Sequence, residues 1–226
     1  MNYNKSNYKG YNYYKETKEM LYEYIKEQYK ESEPIFFSDI PSFDKPKPEI
    51  SRELRILVEQ GKLIKYDTGI YYIPKKSVLK NPVGPSADMV ARYKYIARRG
   101  RVDGYYAGNS LANKFGISTQ VPRKPEIVSN NVAAKFKEIS IGKTVYILRR
   151  PVVEITEDNY RILQLLEMIK IVNDYMDGTF EEAGEKIKEY IISNNIKKSD
   201  IDKYIRLFPL VVYKNYYEMG VENVFA

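Results

Sequence analysis

The chain has 226 residues, of which 43% are apolar and 30% are charged, which is enough apolar material for a packed core. It contains no Cys and no His, which excludes disulfides, thiolate chemistry, zinc sites built on those ligands and catalysis by a His base. Residues 1–14 lack the apolar stretch of a signal peptide, and no apolar run approaches the roughly 20 residues of a membrane span. We therefore expect a cytoplasmic protein with no membrane partner.

The net charge of +7 is unevenly distributed along the chain. Residues 1–80 carry a net charge of +3, residues 81–150 carry +9, and residues 151–226 carry −5. A basic surface attracts nucleic acid through counterion release, whereas an acidic surface favours a basic protein or solvent. Charge alone leaves open a basic protein without a polyanionic partner.

The N-terminal third is predicted to contain three helical segments and a hairpin. Residues 1–14, which include five Tyr, form no core pattern and are interpreted as a flexible tail. A first helix is indicated from about Glu16 to Tyr29 by apolar residues that share one face. A short turn is expected at 35–40, where prolines stand on both sides, and a longer helix from Pro48 to Gln60 that ends at Gly61. Two strands, 62–66 and 70–73, follow around a tight turn at 67–69.

This order over residues 15–80 is typical of a winged helix-turn-helix DNA-binding domain. The outward face of the 48–60 helix would enter the major groove, where Arg matches the two acceptors of guanine. We predict base contacts by Ser51, Arg52 and Arg55, phosphate contacts by Lys45 and Lys47, and phosphate or minor-groove contacts by Lys65 and Thr68 of the wing. The alternative is a protein-binding winged helix whose charges only face solvent.

After a Pro/Gly/Ser linker at 81–86, residues 87–226 are predicted to form an α/β domain. A helix capped by Ser86 is expected to close at Gly100, with Arg98 and Arg99 in its last turn. A meander of short antiparallel strands is indicated at 127–128, 136–141 and 144–148. Three closing helices should follow, opened by Thr156, by a Thr179/Glu182 capping box and by a Ser199/Asp202 capping box. The first of them is apolar over so wide an arc that it must be buried on more than one side.

Two stretches resemble AbiEi-type antitoxins of type IV toxin-antitoxin systems. The first comprises Ser51–Leu54, Leu57–Leu63 and Gly69–Pro74 and is similar to their N-terminal domain. The second comprises Gly104–Tyr106, Gly108–Asn113, Gly116–Ile117, Thr119–Pro122, Pro125–Val128, Ile139–Lys143 and Val145–Arg150. Together they cover roughly residues 15–172. The fold class that follows is α+β, with a winged helix-turn-helix before an α/β domain that has a short antiparallel sheet and C-terminal helices.

The resemblance implies a non-enzymatic antitoxin that neutralises a nucleotidyltransferase toxin and represses its own operon by binding inverted repeats in double-stranded promoter DNA. It also implies that the second domain contacts the toxin or assists DNA binding. Candidate residues for such a second DNA or partner surface are the basic side chains Arg98, Arg99, Arg101, Lys114, Arg123, Lys124, Arg149 and Arg150, while the acidic C-terminal helices are a further candidate toxin surface. A transcription regulator without a toxin remains an alternative.

No cofactor, metal or catalytic residue is predicted. The segment 108–112 has the spacing of a nucleophile elbow, but without His its Ser110 has no ordinary base, so we interpret the hydroxyl as part of a turn or helix start. Glu181, Glu182, Glu185 and Glu189 alternate with Lys186 and Lys188 as on a solvated helix face. A metal-dependent DNA-processing enzyme is the alternative from another class.

Overall fold

The structure is a computed structural model, and it describes residues 20–75 and 83–226. The chain divides into two compact units, Met1–Met89 and Val90–Ala226. The described residues contain eight α-helices and three small sheets, so the expected α+β class is confirmed. None of the helices in these two ranges has the length and apolarity to cross a membrane. The predicted flexible tail, 1–14, lies outside the described residues.

The first unit combines two helices with a three-stranded antiparallel sheet. Its elements are α1 (20–28), β1 (Ile35–Phe36), a 3-10 turn (Phe37–Asp39), α2 (Lys47–Glu59), β2 (Ile64–Asp67) and β3 (Ile70–Tyr72). The strand order is β1-β3-β2, and β2 and β3 form the predicted hairpin. The core joins Leu21 and Ile25 of α1 to Leu54 and Leu57 of α2.

The middle helical segment is shorter than the three-helix pattern requires. Pro34 and Pro41 leave only six residues between them, and Ile35 and Phe36 pair with β3, so a single 3-10 turn remains. Helix α2 ends as predicted, because Gly61 adopts φ +68°, a left-handed conformation that Gly accepts without a Cβ penalty.

The second unit begins around α3 (Ala87–Tyr95), whose capping by Ser86 is confirmed by a hydrogen bond of 3.1 Å from the Met89 amide to the Ser86 hydroxyl. The prediction that this helix reaches Gly100 is wrong. Residues beyond Tyr95 form a two-stranded hairpin, β4 (Ala97–Arg98) and β5 (Arg101–Val102). The amides of Asp103 and Gly104 donate to the Ile96 carbonyl, so the chain turns back immediately after the helix.

A four-stranded sheet with the order β6-β7-β9-β8 forms the centre of the second unit. Its elements in chain order are β6 (Gly104–Ala107), helix α4 (Gly108–Lys114), β7 (Glu126–Ser129), β8 (Lys137–Ile141) and β9 (Thr144–Arg149). The predicted meander is wrong at one pairing, because β9 inserts between β7 and β8 and runs parallel to β7. Ser110 lies within α4, as a helix-start hydroxyl would.

Four helices and a 3-10 turn complete the unit: α5 (Tyr160–Tyr175), α6 (Phe180–Ser193), α7 (Lys198–Ile205), α8 (Leu210–Glu218) and the turn Val221–Phe225. Nine residues of α5 are buried, which confirms burial on more than one side. The Thr179/Glu182 capping box of α6 is confirmed. The other two predicted helix starts are wrong: α5 begins after Asn159, and α7 begins after Lys197, whose amide donates to Asp200.

Candidate nucleic-acid interface

One stripe along the outer face of α2 carries the residues predicted to contact bases. Its residues are Pro48, Ser51, Arg52, Arg55 and Val58. Ser51 and Arg52 are adjacent and the other steps are three residues long, which places all five on one side of a helix. The opposite side is apolar and packs into the core of the unit. This amphipathic pattern fixes the rotation of α2 and keeps the side chains of Ser51, Arg52 and Arg55 exposed.

The hairpin supplies the second wall of the same surface. Lys65 of β2 and Tyr71 of β3 are direct cross-strand partners and therefore project from the same face of the sheet. Together with the α2 stripe they line a depression of about 370 Å³. We call this surface the α2 depression; its lining residues are Pro48, Ser51, Arg52, Arg55, Val58, Lys65 and Tyr71.

The α2 depression is cationic. Three of its seven lining residues carry a positive charge and none carries a negative one. Among the described residues, no acidic side chain forms an ion pair with Arg52, Arg55 or Lys65, although Glu49 and Glu59 lie on the same helix. Exposed cations without internal partners are available to an anionic ligand.

Lys45 has a different role from the predicted phosphate contact. Its Nζ lies 2.6 Å from Oε1 of Glu53, and the two side chains are 8% and 4% exposed. Glu53 occupies the core side of α2, so Lys45 neutralises a buried carboxylate there. The loop that brings Lys45 to this place turns through Phe43 and Asp44, both in the left-handed region, with φ of +50° and +57°. A phosphate cannot reach this ammonium without breaking the pair.

The other two predicted residues of this unit are exposed but do not line the depression. Lys47 is the first residue of α2. Thr68 lies at the tip of the hairpin, where its amide donates to the Asp67 carboxylate at 2.7 Å. Both positions stand at the margins of the stripe in sequence, one before Pro48 and one after Lys65.

The basic residues predicted in the second unit are distributed over several elements. Arg98, Arg99 and Arg101 share the β4–β5 hairpin. Lys114 stands over the Tyr106 ring, with Nζ 4.6 Å from the ring centroid. Arg123, Lys124 and Arg150 are exposed, and Lys124 pairs with Glu138 at 2.8 Å.

Arg149 belongs to an internal charge network rather than to an open surface. Its Nη2 lies 2.6 Å from Oε1 of Glu167, and its Nε lies 3.4 Å from Oε2 of Glu126. Lys170 holds the other oxygen of Glu167, also at 2.6 Å. Burial alone would lower the pKa of Arg149, but the carboxylates of Glu167 and Glu126 outweigh it and raise the pKa above its ordinary value. The guanidinium is therefore already bound, and it is a poor candidate for a partner contact.

Sequence reasoning missed both internal charge sites and the contribution of Tyr71. A signal was present in α2: Glu53 stands between Ile50 and Leu54 on the apolar side of the helix, where an unpaired charge would be costly. The network around Glu167 gave a similar signal, because Glu167 interrupts the otherwise apolar buried face of α5. Nothing in the sequence indicated which cation would pair with each acid.

Within the described ranges, no group of three or more Asp and Glu side chains is placed so that it could hold a metal ion. A depression of about 400 Å³ lies in the second unit beside the start of α6. One of its walls is Asp177, whose carboxylate accepts hydrogen bonds from the Thr119 amide and hydroxyl and from Ser118. These bonds hold the pKa of Asp177 below its ordinary value and attach the loop after α4 to the start of α6.

The fold and the site define a two-unit α+β protein with an exposed cationic depression on the first unit. Residues 20–198 match the model of a family of unknown function, DUF6088, and the chain belongs to that family. No curated protein matches the chain.

Proposed function

We propose that the first unit binds double-stranded DNA as a winged helix-turn-helix, with α2 as the recognition helix and the β2–β3 hairpin as the wing. The order helix, strand, short turn, helix, hairpin supports this assignment, with the middle helix reduced to the 3-10 turn at Phe37–Asp39. The hairpin supports it as well, because Lys65 and Tyr71 of its strands line the same depression as α2, and its tip at Asp67 and Thr68 is exposed.

The observation that carries the proposal is the lining of the α2 depression. A helix that reads the major groove must present exposed donors on one stripe, and α2 presents Ser51, Arg52 and Arg55 there. Lys65 extends the positive charge from the helix to the wing, as contact with a phosphate backbone on the groove wall requires.

Roles follow from position on this surface. Arg52 and Arg55 contact base edges, and Ser51 supports them near the start of the helix. Lys47 and Lys65 contact phosphates, and Thr68 reaches the backbone or minor groove from the wing tip. Lys45 is omitted from the contacts because it neutralises Glu53.

The biological part of the proposal is supported by the resemblance to AbiEi-type antitoxins. In this view the chain is a cytoplasmic, non-enzymatic antitoxin that binds inverted repeats upstream of its own operon and represses it. Its second unit neutralises a nucleotidyltransferase toxin encoded beside it. Two copies on two half-sites would be needed for full recognition of such a promoter.

Titration of the purified full chain against a duplex from the region upstream of its gene tests DNA recognition. Arg52→Ala or Arg55→Ala should each weaken binding by about 1–3 kcal/mol and relax discrimination at one base pair, whereas Lys47→Ala should weaken all duplexes alike and reduce the salt slope by about 1. Lys26→Ala is the control, because it removes one exposed charge of α1, paired with Glu23 at 3.2 Å, that lies outside the depression. Unchanged affinity in all three α2 variants would disprove the assignment of α2.

Gene deletion tests the antitoxin role. Loss of this gene should be lethal or growth-inhibiting only while the neighbouring open reading frame is intact, and deletion of both should restore growth. If the single deletion grows normally and only derepresses transcription, the chain is a transcription regulator without a toxin. Cleavage of duplex DNA by the purified chain with magnesium, lost when one acidic residue is replaced, would instead favour the DNA-processing enzyme.

A further inference from the structure

Strand β8 of the second unit lies at an edge of the four-stranded sheet. It pairs with β9 on one side, and among the described residues no strand pairs with its other side. The side chains of residues 133–138 and of Ser140 are exposed, so the described part of the chain does not pack over them. An open edge presents backbone amides and carbonyls that can pair with a strand of another chain.

The hairpin turn determines which backbone groups of β8 face this edge. Ile141 and Thr144 flank the two-residue turn 142–143 and are direct partners. The flanking pair of such a turn exchanges hydrogen bonds, and hydrogen-bonded and non-hydrogen-bonded pairs then alternate along an antiparallel ladder. Ile141 therefore bonds to β9, and the amides and carbonyls of Glu138 and Ser140 point to the open edge.

The sequence of β8 is complementary to itself in one register. In an antiparallel pair around a two-fold axis, a register centred on Ile139 pairs all five residues of the strand. Glu138 then lies opposite Ser140 of the second copy, and Lys137 lies opposite Ile141. Centring the pair on Lys137 or Glu138 would place like charges directly opposite each other, which is destabilising. Centring it on Ser140 or Ile141 would leave part of the strand unpaired.

The residues beside the two ends of β8 fit the same register. Phe136 stands directly before the strand and is 58% exposed, which is unusual for a large apolar side chain. In the register centred on Ile139 it comes opposite Gly142 of the second copy. An aromatic ring that covers a glycine at a sheet edge stabilises strand pairing. The half-buried side chains of Ile139 from the two copies meet at the axis.

We propose that β8 is a self-association surface, which pairs with β8 of a second copy around a two-fold axis at Ile139 and joins the two four-stranded sheets into one. Glu138 of each copy exchanges backbone hydrogen bonds with Ser140 of the other. The inference goes beyond the proposed function and rests on the second unit alone. It therefore holds or fails independently of the DNA contacts proposed for α2.

A second copy fits this edge better than an unrelated strand does. Charged side chains on an edge strand disfavour pairing with arbitrary strands, and Lys137 and Glu138 have this effect here. The register centred on Ile139 keeps both charges away from like charges, so β8 itself meets the requirement that they impose. A five-residue strand is a small interface, so the association should be weak and should depend on concentration.

Sedimentation equilibrium of the purified full chain, without DNA and from about 1 μM to about 1 mM, tests the pairing. The mean mass should rise from the 26.5 kDa of one chain toward twice that value. Ser140→Pro removes an amide that faces the open edge, a place where a sheet tolerates proline, so the mass of this variant should stay at 26.5 kDa. Ser140→Ala is the matched control, because it keeps the amide and should associate like the unchanged chain.

Two further substitutions at this exposed position test the register. Ser140→Lys places a cation opposite Glu138 in both halves of the pair and should lower the dissociation constant of the dimer by about threefold. Ser140→Glu places like charges there and should raise it by about threefold. Both effects are modest because Lys124 already pairs with Glu138 at 2.8 Å. Hydrogen exchange in peptides that contain residues 137–141 should slow as the concentration of the unchanged chain rises.

Three results would overturn the inference. A mass of one chain at every concentration would show that β8 does not pair with a second copy. Equal association of Ser140→Pro and Ser140→Ala would place the contact elsewhere. Shifts in the same direction for Ser140→Lys and Ser140→Glu would exclude the register centred on Ile139, and this comparison decides even if Ser140→Pro fails to fold. None of these results changes the DNA titrations of Arg52→Ala and Arg55→Ala, which test the proposed function separately.

Discussion

The two units neutralise buried charge in different ways. In the first unit, Glu53 of α2 pairs with one cation among the described residues, Lys45, and both side chains are almost completely buried. In the second unit, Glu167 of α5 is equally buried, at 4% exposure, but it is held by both Arg149 and Lys170. Arg149 in turn approaches Glu126 on β7, so four side chains share the charge.

The comparison distinguishes cations that pair with a buried acid inside the fold from cations that are exposed on the surface. In the described part of the first unit, one lysine neutralises the buried Glu53, and no acidic side chain pairs with the cations of the α2 depression. In the second unit a strand arginine that looked available in the sequence is used inside the fold. If Lys45 is removed, Glu53 loses the cation that pairs with it, whereas Glu167 keeps one cation if either Arg149 or Lys170 is removed. The stability of the two sites should therefore respond differently to the loss of one cation.

The largest expected effect is that of Lys45→Met. It leaves the Glu53 carboxylate buried and unpaired, and removing one partner of a buried ion pair costs about 3–5 kcal/mol. Hydrogen exchange measured by mass spectrometry on the full chain resolves the effect to one unit, so peptides from residues 20–75 should lose protection while those from α5 should not.

The double variant Lys45→Met/Glu53→Met tests whether the unpaired charge causes this loss of stability. Replacing both charges by apolar side chains of similar size should recover most of the lost stability, because no unpaired charge remains. Lys47→Met, two residues further along and exposed, should alter stability by no more than about 0.5 kcal/mol. Equal destabilisation by Lys45→Met and Lys47→Met would show that the buried pair contributes nothing to the first unit.

The exposed stripe of α2 could be predicted because helical periodicity fixes it. Apolar Ile50, Leu54 and Leu57 define the buried side of α2, so the opposite side follows from the geometry of one helix. Lys45 was misplaced for the complementary reason. Its position depends on a loop in which Phe43 and Asp44 both adopt a left-handed backbone conformation. The sequence does not indicate that these two residues adopt it.

Long-range pairing accounts for the errors in the second unit. The strands β7, β8 and β9 were found as short β-rich segments, but the insertion of β9 beside β7 depends on contacts between residues distant in the chain. The β4–β5 hairpin was missed because Arg98, Arg99 and Gly100 also suit a helix end, where basic residues and glycine are favoured. The positive φ of Arg99 distinguishes a hairpin turn from a helix end, and the sequence pattern does not indicate this backbone conformation.

Glu167→Gln should produce an intermediate effect that depends on pH. Burial alone would raise the pKa of Glu167, but the charges of Arg149 and Lys170 outweigh it and hold the pKa below its ordinary value. A lowered folded-state pKa stabilises the fold above the unfolded-state value of about 4.3, and this stability is lost as the pH falls through the folded-state value.

At neutral pH the variant should therefore be less stable by about 2 kcal/mol, the strength of a hydrogen bond between charged groups. In denaturant titrations the gap between the two proteins should narrow as the pH falls below about 4.3. A gap that stays constant down to strong acid would mean that the charge of Glu167 does not stabilise the second unit.

Lys170→Met should have the smallest effect of the three, about 1 kcal/mol, since Glu167 keeps the bond of 2.6 Å from Arg149 and since Lys170 itself is 23% exposed. The comparison with Lys45→Met is direct, because each change removes a lysine 2.6 Å from a buried glutamate and replaces it by the same side chain. Thermal unfolding of both variants beside the unchanged chain measures the contrast. Equal losses would mean that the four-member network protects Glu167 no better than the single lysine protects Glu53, and that Arg149 is not committed to it. Arg149 would then return to the candidates for a surface that meets DNA or a toxin.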